Sequence, residues 1–142
     1  MTLRDLMSFT SGMTEEDNCM NRADSNFETC ALAAASRNVG NGNSPGKLFY
    51  YSGSHLQVAG LMTLKARNAT LGVNNSTWQN VFAEFKAKTG LFSHSQYDLP
   101  SAGNPRLAVG VHWIGNDYVE FLRKYSKGQL ISAYYQQKQL SD

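Results

Sequence analysis

The chain predicts a mainly α fold, and three observations carry that reading. Trp78, Val81, Phe82 and Phe85 fall at i, i+3, i+4 and i+7, and Tyr118, Phe121, Leu122 and Tyr125 repeat the spacing. Between Ser54 and Ala69, apolar residues occupy nearly every face of a would-be helix. Little of the remainder alternates in the way a half-buried strand must. A length of 142 residues suits one domain with a real core. No internal repeat, low-complexity tract or linker divides it.

Taken in order, Thr2 caps a first helix, with Asp5 three residues on and Leu3, Leu6 and Met7 on one face. Ser8 to Gly12 ends it, and residues 14–24 read as a polar, acidic loop. Ser25 and Glu28 spell a capping box ahead of Phe27, Cys30, Ala31 and Ala34 at helical spacing. That helix is expected to stop near Asn38, because Gly40, Gly42, Pro45 and Gly46 then break the chain. The 54–69 segment carries Leu56, Val58, Ala59, Leu61, Met62 and Leu64, and a helix apolar all round belongs in the interior. Ser76 and Gln79 make a second capping box, Lys86 and Lys88 suit a last turn, and Gly90 supplies the stop. Residues 91–113, with Pro100 and Pro105, read as loop or short strands. Asn116 is the expected cap of a helix ended by Gly128, and residues 131–142 lean helical. The total is five or six helices.

Composition excludes several function classes. A net charge of +2, with scattered lysines, gives no footprint for nucleic acid or an anionic membrane surface. No apolar run is long enough to span a bilayer, and the first residues hold no hydrophobic signal core. Cys19 and Cys30 are either two unrelated thiols or a local disulfide stapling a loop to a helix, the second implying an oxidising compartment. A metal site is disfavoured there, since no histidine stands at ligand spacing. Three N-x-S/T sequons make Asn68, Asn74 and Asn75 candidate glycosylation acceptors within one polar segment.

The stretch Phe49-Tyr50-Tyr51-Ser52-Gly53-Ser54-His55 draws the chemical argument. It follows a Pro45-Gly46 turn and leads into the buried helix, so Tyr51 sits where an extended segment meets a helix start. A phenol has an ordinary pKa of about 10 and becomes a base at neutral pH only beside cations. Nucleophilic catalysis needs a serine or cysteine next to a base. The one S-x-x-K string is Ser44-Pro45-Gly46-Lys47, whose central Pro-Gly favours a turn over the helix that would bring lysine to serine. Lys88-Thr89-Gly90 spells K-T-G but closes an amphipathic helix, where a catalytic strand edge would be required. His55, His94 and His112 are isolated from one another and read as structural.

Together these segments resemble the serine beta-lactamase-related hydrolases: class C beta-lactamases, D-Ala-D-Ala carboxypeptidases and esterase relatives. The resemblance rests on residues 2–12 (Thr2-Leu3-Arg4-Asp5-Leu6-Met7-Ser8-Phe9-Thr10-Ser11-Gly12), Pro45-Gly46, Phe49 and Tyr51-Ser52-Gly53. It continues through Asn104-Pro105-Arg106-Leu107-Ala108 and Asp117-Tyr118 with Phe121-Leu122. These landmarks stand in the family's order along nearly the whole chain. The resemblance implies the helical region of a beta-lactamase/transpeptidase-like α/β fold lacking most of its sheet, so that residues 1–142 form a single partial domain. Met1, where a β-branched residue often opens the motif, is then expected to be internal.

By the same resemblance, Tyr51 matches the tyrosine of a Y-x-N motif and would act as general base and then general acid. Gly53 stands where the substrate-binding asparagine is usual, which moves the expected substrate toward esters and away from lactams and peptides. The family's S-x-x-K nucleophile helix precedes the Thr2-to-Leu6 segment, and its late strand triplet follows the Asp117-Tyr118 helix. The implied protein is a secreted or periplasmic serine hydrolase working through an acyl-enzyme on a small ester, lactam or peptide. It would need no cofactor and no metal, and this chain alone would be inactive. The alternative is a non-catalytic, degenerate relative serving as a helical binding module.

Overall fold

The structure is a computed structural model, and it describes residues 1–37 and 44–131. Among these residues the fold is mainly α. Its helices are α1 (Leu3–Met7), α2 (Phe27–Arg37), α3 (Gly53–Leu71), α4 (Trp78–Thr89) and α5 (Gly115–Ser126). Four two-residue strands lie between α4 and α5: β1 (Gln96–Tyr97), β2 (Pro100–Ser101), β3 (Asn104–Pro105) and β4 (Val111–His112). β1 pairs antiparallel with β4, placing Gln96 opposite His112 and Tyr97 opposite Val111. Inside that pair β2 and β3 form a second antiparallel pair, with Ser101 opposite Asn104. Residues 96–112 are thus a nested ribbon, so the 91–113 segment takes the short-strand outcome the prolines allowed.

α3 organises the molecule, packing against α1, α2 and α4. One core cluster joins Leu6, Met13, Ala34, Val58 and Ala59. A second joins Phe27, Ala31, Leu61 and Leu64, with Trp78, Val81 and Leu107 against it. The α2 face expected from its spacing is the buried one: Phe27, Cys30, Ala31 and Ala34. Cys19, in a 3-10 turn over Asn18–Asn21, is disulfide-bonded to Cys30, so the loop is stapled to α2.

Several boundaries follow the sequence closely. Thr2 and Asp5 cap α1 reciprocally, Asp5 Oδ2 accepting from the Thr2 N–H at 2.6 Å. α4 ends at Gly90, in the left-handed conformation at φ 64°, with the Gly90 N–H donating to Lys86 O at 2.8 Å. Gly128 takes the same conformation beyond α5, at φ 67°.

Three caps differ from the expectation by one or two residues. Asn26 rather than Ser25 caps α2, its Oδ1 accepting from the N–H groups of Glu28 at 3.0 Å and Thr29 at 3.2 Å. Thr77 and Asn80, not Ser76 and Gln79, form the box at α4. α5 begins at Gly115 after Ile114, without a side-chain cap from Asn116. The expected end of α2 at Asn38, the breaks at Gly40 and Gly42, and residues 132–142 of the last helical stretch lie outside the described residues.

α3 is interior only in its first half. Gly53 to His55, Gln57 to Leu61 and Leu64 are buried, whereas Met62 is 39% exposed and Lys65 and Ala66 lie at the surface. The reason lies in the charged residues beyond the apolar run. Lys65 pairs with Glu28 on α2 at 2.6 Å, and Arg67 with Glu84 on α4 at 2.6 Å, so the second half carries its charges outward. α4 and α5 meet through Phe92, whose ring lies 5.9 Å from Phe85, 4.9 Å from Trp113 and 5.4 Å from Phe121.

Candidate functional site

The Ser44–Lys47 segment is a tight turn. The Lys47 N–H donates to Ser44 O at 3.3 Å and Gly46 takes φ 81°, which a residue without Cβ adopts at no steric cost. Serine and lysine therefore do not stack on one helix face, and this S-x-x-K is not a nucleophile motif. Ser44 also centres a G-x-S-x-G string over residues 42–46, which sequence reasoning passed over. An elbow serine needs a helix directly after it. Here a turn and an extended segment intervene before α3 starts at Gly53.

That extended segment is held from one side by the turn after α1. The Tyr50 N–H donates to Phe9 O at 2.9 Å and the Gly46 N–H to Thr10 O at 2.7 Å. The Phe9 ring touches Phe49 at 6.0 Å, Tyr51 at 5.2 Å and His55 at 5.3 Å between centroids. Phe9 does this at φ 58°, a conformation costing an L-residue about 1–2 kcal/mol.

Tyr51 itself is 79% exposed, while the next residues Ser52, Gly53, Ser54 and His55 are all buried. The burial has local causes. Ser52 caps α3, its Oγ accepting from the Ser54 N–H at 3.2 Å. Both serine hydroxyls donate to Glu15 O, at 3.3 Å from Ser52 and 2.8 Å from Ser54. Beside Tyr51 lies a cleft of about 90 Å³ lined by Phe9, Glu16, Gly53, Leu56, Arg106 and Val109, among others. Glu16 sets its electrostatics. Its Oε1 accepts from the Gly53 N–H at 2.8 Å and its Oε2 from Arg106 Nη2 at 2.7 Å, so a carboxylate sits at the positive end of α3 and is neutralised by a guanidinium. Arg106 Nη1 also donates to Asn21 Oδ1 at 2.8 Å.

Gly53 is thus an anchoring point for Glu16, and a Cβ there would stand 2.7 Å from Glu16 Oε1. His55 is fully buried, with Nδ1 3.0 Å from Ser11 Oγ and Nε2 without a hydrogen-bond partner. Burial holds its pKa below the usual histidine value, opposed in part by the Tyr50 and Met13 backbone. It is a structural histidine under the Tyr51 segment. Gln57, also fully buried, clamps the ribbon: its Nε2 donates to Pro105 O at 3.0 Å and its Oε1 accepts from the Leu107 N–H at 3.0 Å.

The other candidates separate from this cleft. Lys88 pairs with Glu84 at 2.7 Å, and Thr89 Oγ1 donates to Phe85 O at 2.7 Å, so the K-T-G triplet is the end of α4. His94 Nδ1 faces Ser93 Oγ at 3.0 Å and Asp117 Oδ1 at 3.6 Å. Both partners share one ring nitrogen, whereas proton relay from serine to acid needs one on each. Asp117 is a structural hub missed by sequence reasoning. Its Oδ2 accepts from the His94 and Ser95 N–H groups, each at 3.1 Å, and from Ser95 Oγ at 3.0 Å. Burial raises its pKa, but these hydrogen bonds outweigh that and hold it low. Its position in the first turn of a helix was the available signal. Tyr97, whose hydroxyl donates to Leu107 O, is pushed up to about 12 by burial and does no acid–base work near neutrality.

Among the sequons, Asn68 lies within α3 with its Oδ1 accepting from Arg67 Nη1 at 3.3 Å, whereas Asn74 and Asn75 are exposed in the turn after it. Among the described residues no three His, Cys, Asp or Glu side chains converge as a metal site, and no helix is long and apolar enough to cross a membrane.

No protein-family model, curated protein or solved structure matches this chain.

Proposed function

We propose that the chain is the helical part of a beta-lactamase-related serine hydrolase in which Tyr51 transfers the proton. The observation that carries this reading is the abrupt contrast at the start of α3. A phenol 79% exposed stands beside a cleft, directly ahead of buried residues that fix its backbone. Fixed main chain with an accessible polar tip is what a proton-transfer residue requires. The ordered motifs from Thr2 to Leu122 support the same assignment.

In this reading the nucleophile belongs to an S-x-x-K helix that these residues do not contain. Tyr51 takes the proton from that serine as its oxygen adds to the substrate carbonyl, then gives it to the departing alcohol or amine, leaving an acyl-serine. Water hydrolyses the acyl-serine by the reverse transfers. A phenol needs a neighbouring cation to do this at neutral pH. Arg106 lines the same cleft, but Glu16 neutralises it, so the S-x-x-K lysine must supply that charge. Gly53 offers no amide to the substrate, which favours esters. A secreted or periplasmic setting fits the disulfide.

The test is to incubate the chain with a chromogenic ester and a fluorescent penicillin. Neither steady turnover nor covalent labelling is expected from these residues alone, and either would overturn the reading. The coding sequence upstream of Met1 should contain an in-frame S-x-x-K. With that segment present, Tyr51→Phe should abolish acylation.

A further inference from the structure

Phe9 is a bulky aromatic held at φ 58°, a region such residues almost never occupy without a surrounding structure that enforces it. What that conformation achieves is visible in its neighbours. The main chain turns so that Phe9 O receives the Tyr50 N–H and Thr10 O receives the Gly46 N–H. The ring then enters between Phe49, Tyr51 and His55, in contact with all three. His55 is fixed in turn by Ser11, its Nδ1 standing 3.0 Å from Ser11 Oγ. Ser8 Oγ and Thr10 Oγ1, 2.9 Å apart, close the same turn. Residues 8–11 are therefore a clasp on the segment 46–55, and the Phe9 ring is the part that touches Tyr51.

We infer that Phe9 is the positioning residue for Tyr51: its ring sets where the exposed phenol stands over the cleft, and the strained turn exists to deliver that ring. The inference rests on the reading of Tyr51 as the proton-transfer group, which gives the position its value. Tyr51 has little else to hold its ring, being exposed, whereas the residues after it are locked by Glu15 and Glu16. An aromatic face 5.2 Å away restricts the ring while leaving the hydroxyl open to solvent.

The experiment is ¹⁵N relaxation and nuclear Overhauser measurement on the full 142-residue chain, its Tyr51 signals assigned by comparison with Tyr51→Phe. Phe9→Gly keeps a residue that favours positive φ and keeps the carbonyl for Tyr50, so only the ring is lost. In it the Tyr51 ring should gain motion and its signals narrow, while the Tyr51 amide, between the Tyr50 N–H to Phe9 O bond and the Ser52 cap, keeps an order parameter near about 0.85. The Tyr51 ring signals should move toward those of an unrestricted tyrosine as the Phe9 ring 5.2 Å away is lost, while the amides of α1 and His55 stay ordered. Phe9→Tyr should restore all of these. Phe9→Leu, which keeps bulk without a flat face, should loosen the Tyr51 ring with α1 intact, and covers the case in which Phe9→Gly disturbs α1.

A Tyr51 ring as ordered in Phe9→Gly and Phe9→Leu as in the parent overturns the inference, as does a Phe9→Tyr chain in which it stays loose. None of these readouts requires turnover. A mobile Tyr51 in an enzyme that does not need its hydroxyl would sink the catalytic reading and leave the clasp standing.

Discussion

The Gly53 N–H donates to Glu16 Oε1 at 2.8 Å, and a Cβ at position 53 would stand 2.7 Å from that same oxygen. One carboxylate thus occupies the space that any larger residue at 53 would claim. Because the obstructing atom ends a flexible side chain, Gly53→Asn should displace Glu16 rather than break α3. The cost is the lost hydrogen bond, about 1 kcal/mol given the partial exposure of Glu16. Glu16→Ala should cost more, since it also removes the ion pair with Arg106, and the double variant no more than Glu16→Ala alone, since the bond to Gly53 is already gone in it. Urea unfolding measures this, and fully additive losses would show that Glu16 and residue 53 act separately.

Gly110 is a different case. A Cβ there would overlap the main chain of Leu99 and Arg106, where the ribbon folds back on itself through the Leu99 N–H to Gly110 O bond of 3.0 Å. Backbone cannot step aside as a side chain can. Gly110→Ala should therefore cost toward the top of the about 1–3 kcal/mol typical of overpacking a well-packed site. Gly115→Ala, with nothing within 4 Å of its Cβ, should be neutral or slightly stabilising as a helical residue. Equal melting temperatures for the two variants would contradict the crowding at Gly110.

What was legible in the sequence was local. The α2 face from Phe27 to Ala34, the Thr2–Asp5 cap and the Gly90 stop each depend on residues within one or two turns. Cap assignments slipped where neighbouring polar residues compete: Ser25 stands beside Asn26 and Ser76 beside Thr77, and backbone geometry decides between them. The candidate site was legible only at Tyr51 and Gly53. Glu16 and Arg106 are 90 residues apart in sequence, and Gln57 reaches Pro105 across 48, so no periodicity or spacing joins them. The buried polar trio Ser54, His55 and Gln57 was hidden for the same reason, inside a stretch whose hydrophobic residues dominated the pattern.

His55 makes stability depend on pH in a defined direction. Its folded pKa lies below the unfolded value of 6.5 because burial disfavours the charged ring. At a pH below 6.5 the unfolded chain takes a proton that the folded chain refuses. The contribution is therefore complete above that pH and is lost as pH falls from 6.5 through the lower folded value, with a slope of at most about 1.4 kcal/mol per pH unit. His55→Asn, which can keep a partner for Ser11, should flatten the profile in that window. Asp117 acts lower. Its depressed pKa gives stability that is present above 3.8 and lost as pH falls through the folded value. Asp117→Ala should lower the melting temperature more than Glu120→Ala, whose ion-pair partner Arg123 is at the surface.

The Cys19–Cys30 bond closes a short loop, with a sequence separation of 11, and in the chain-entropy account is worth about 3 kcal/mol. Its position gives it a second consequence. The loop it anchors continues back to Asp17, Glu16 and Glu15, which hold Ser52, Gly53 and Ser54 at the start of α3. From the other side Asn104 Nδ2 donates to Cys19 O at 2.9 Å and to Arg22 O at 2.9 Å, tying the same loop to the ribbon. Removing the bond should therefore loosen the cleft beside Tyr51 before it loosens α4, which has no direct link to the loop among these bonds. In a Cys19→Ser/Cys30→Ser chain, thermal unfolding should register the overall loss, and hydrogen exchange at Gly53 and Ser54 should accelerate more than at Phe82 or Phe85. Uniform acceleration would mean that the disulfide stabilises the domain as a whole and leaves the Tyr51 cleft no more dependent on it than any other part.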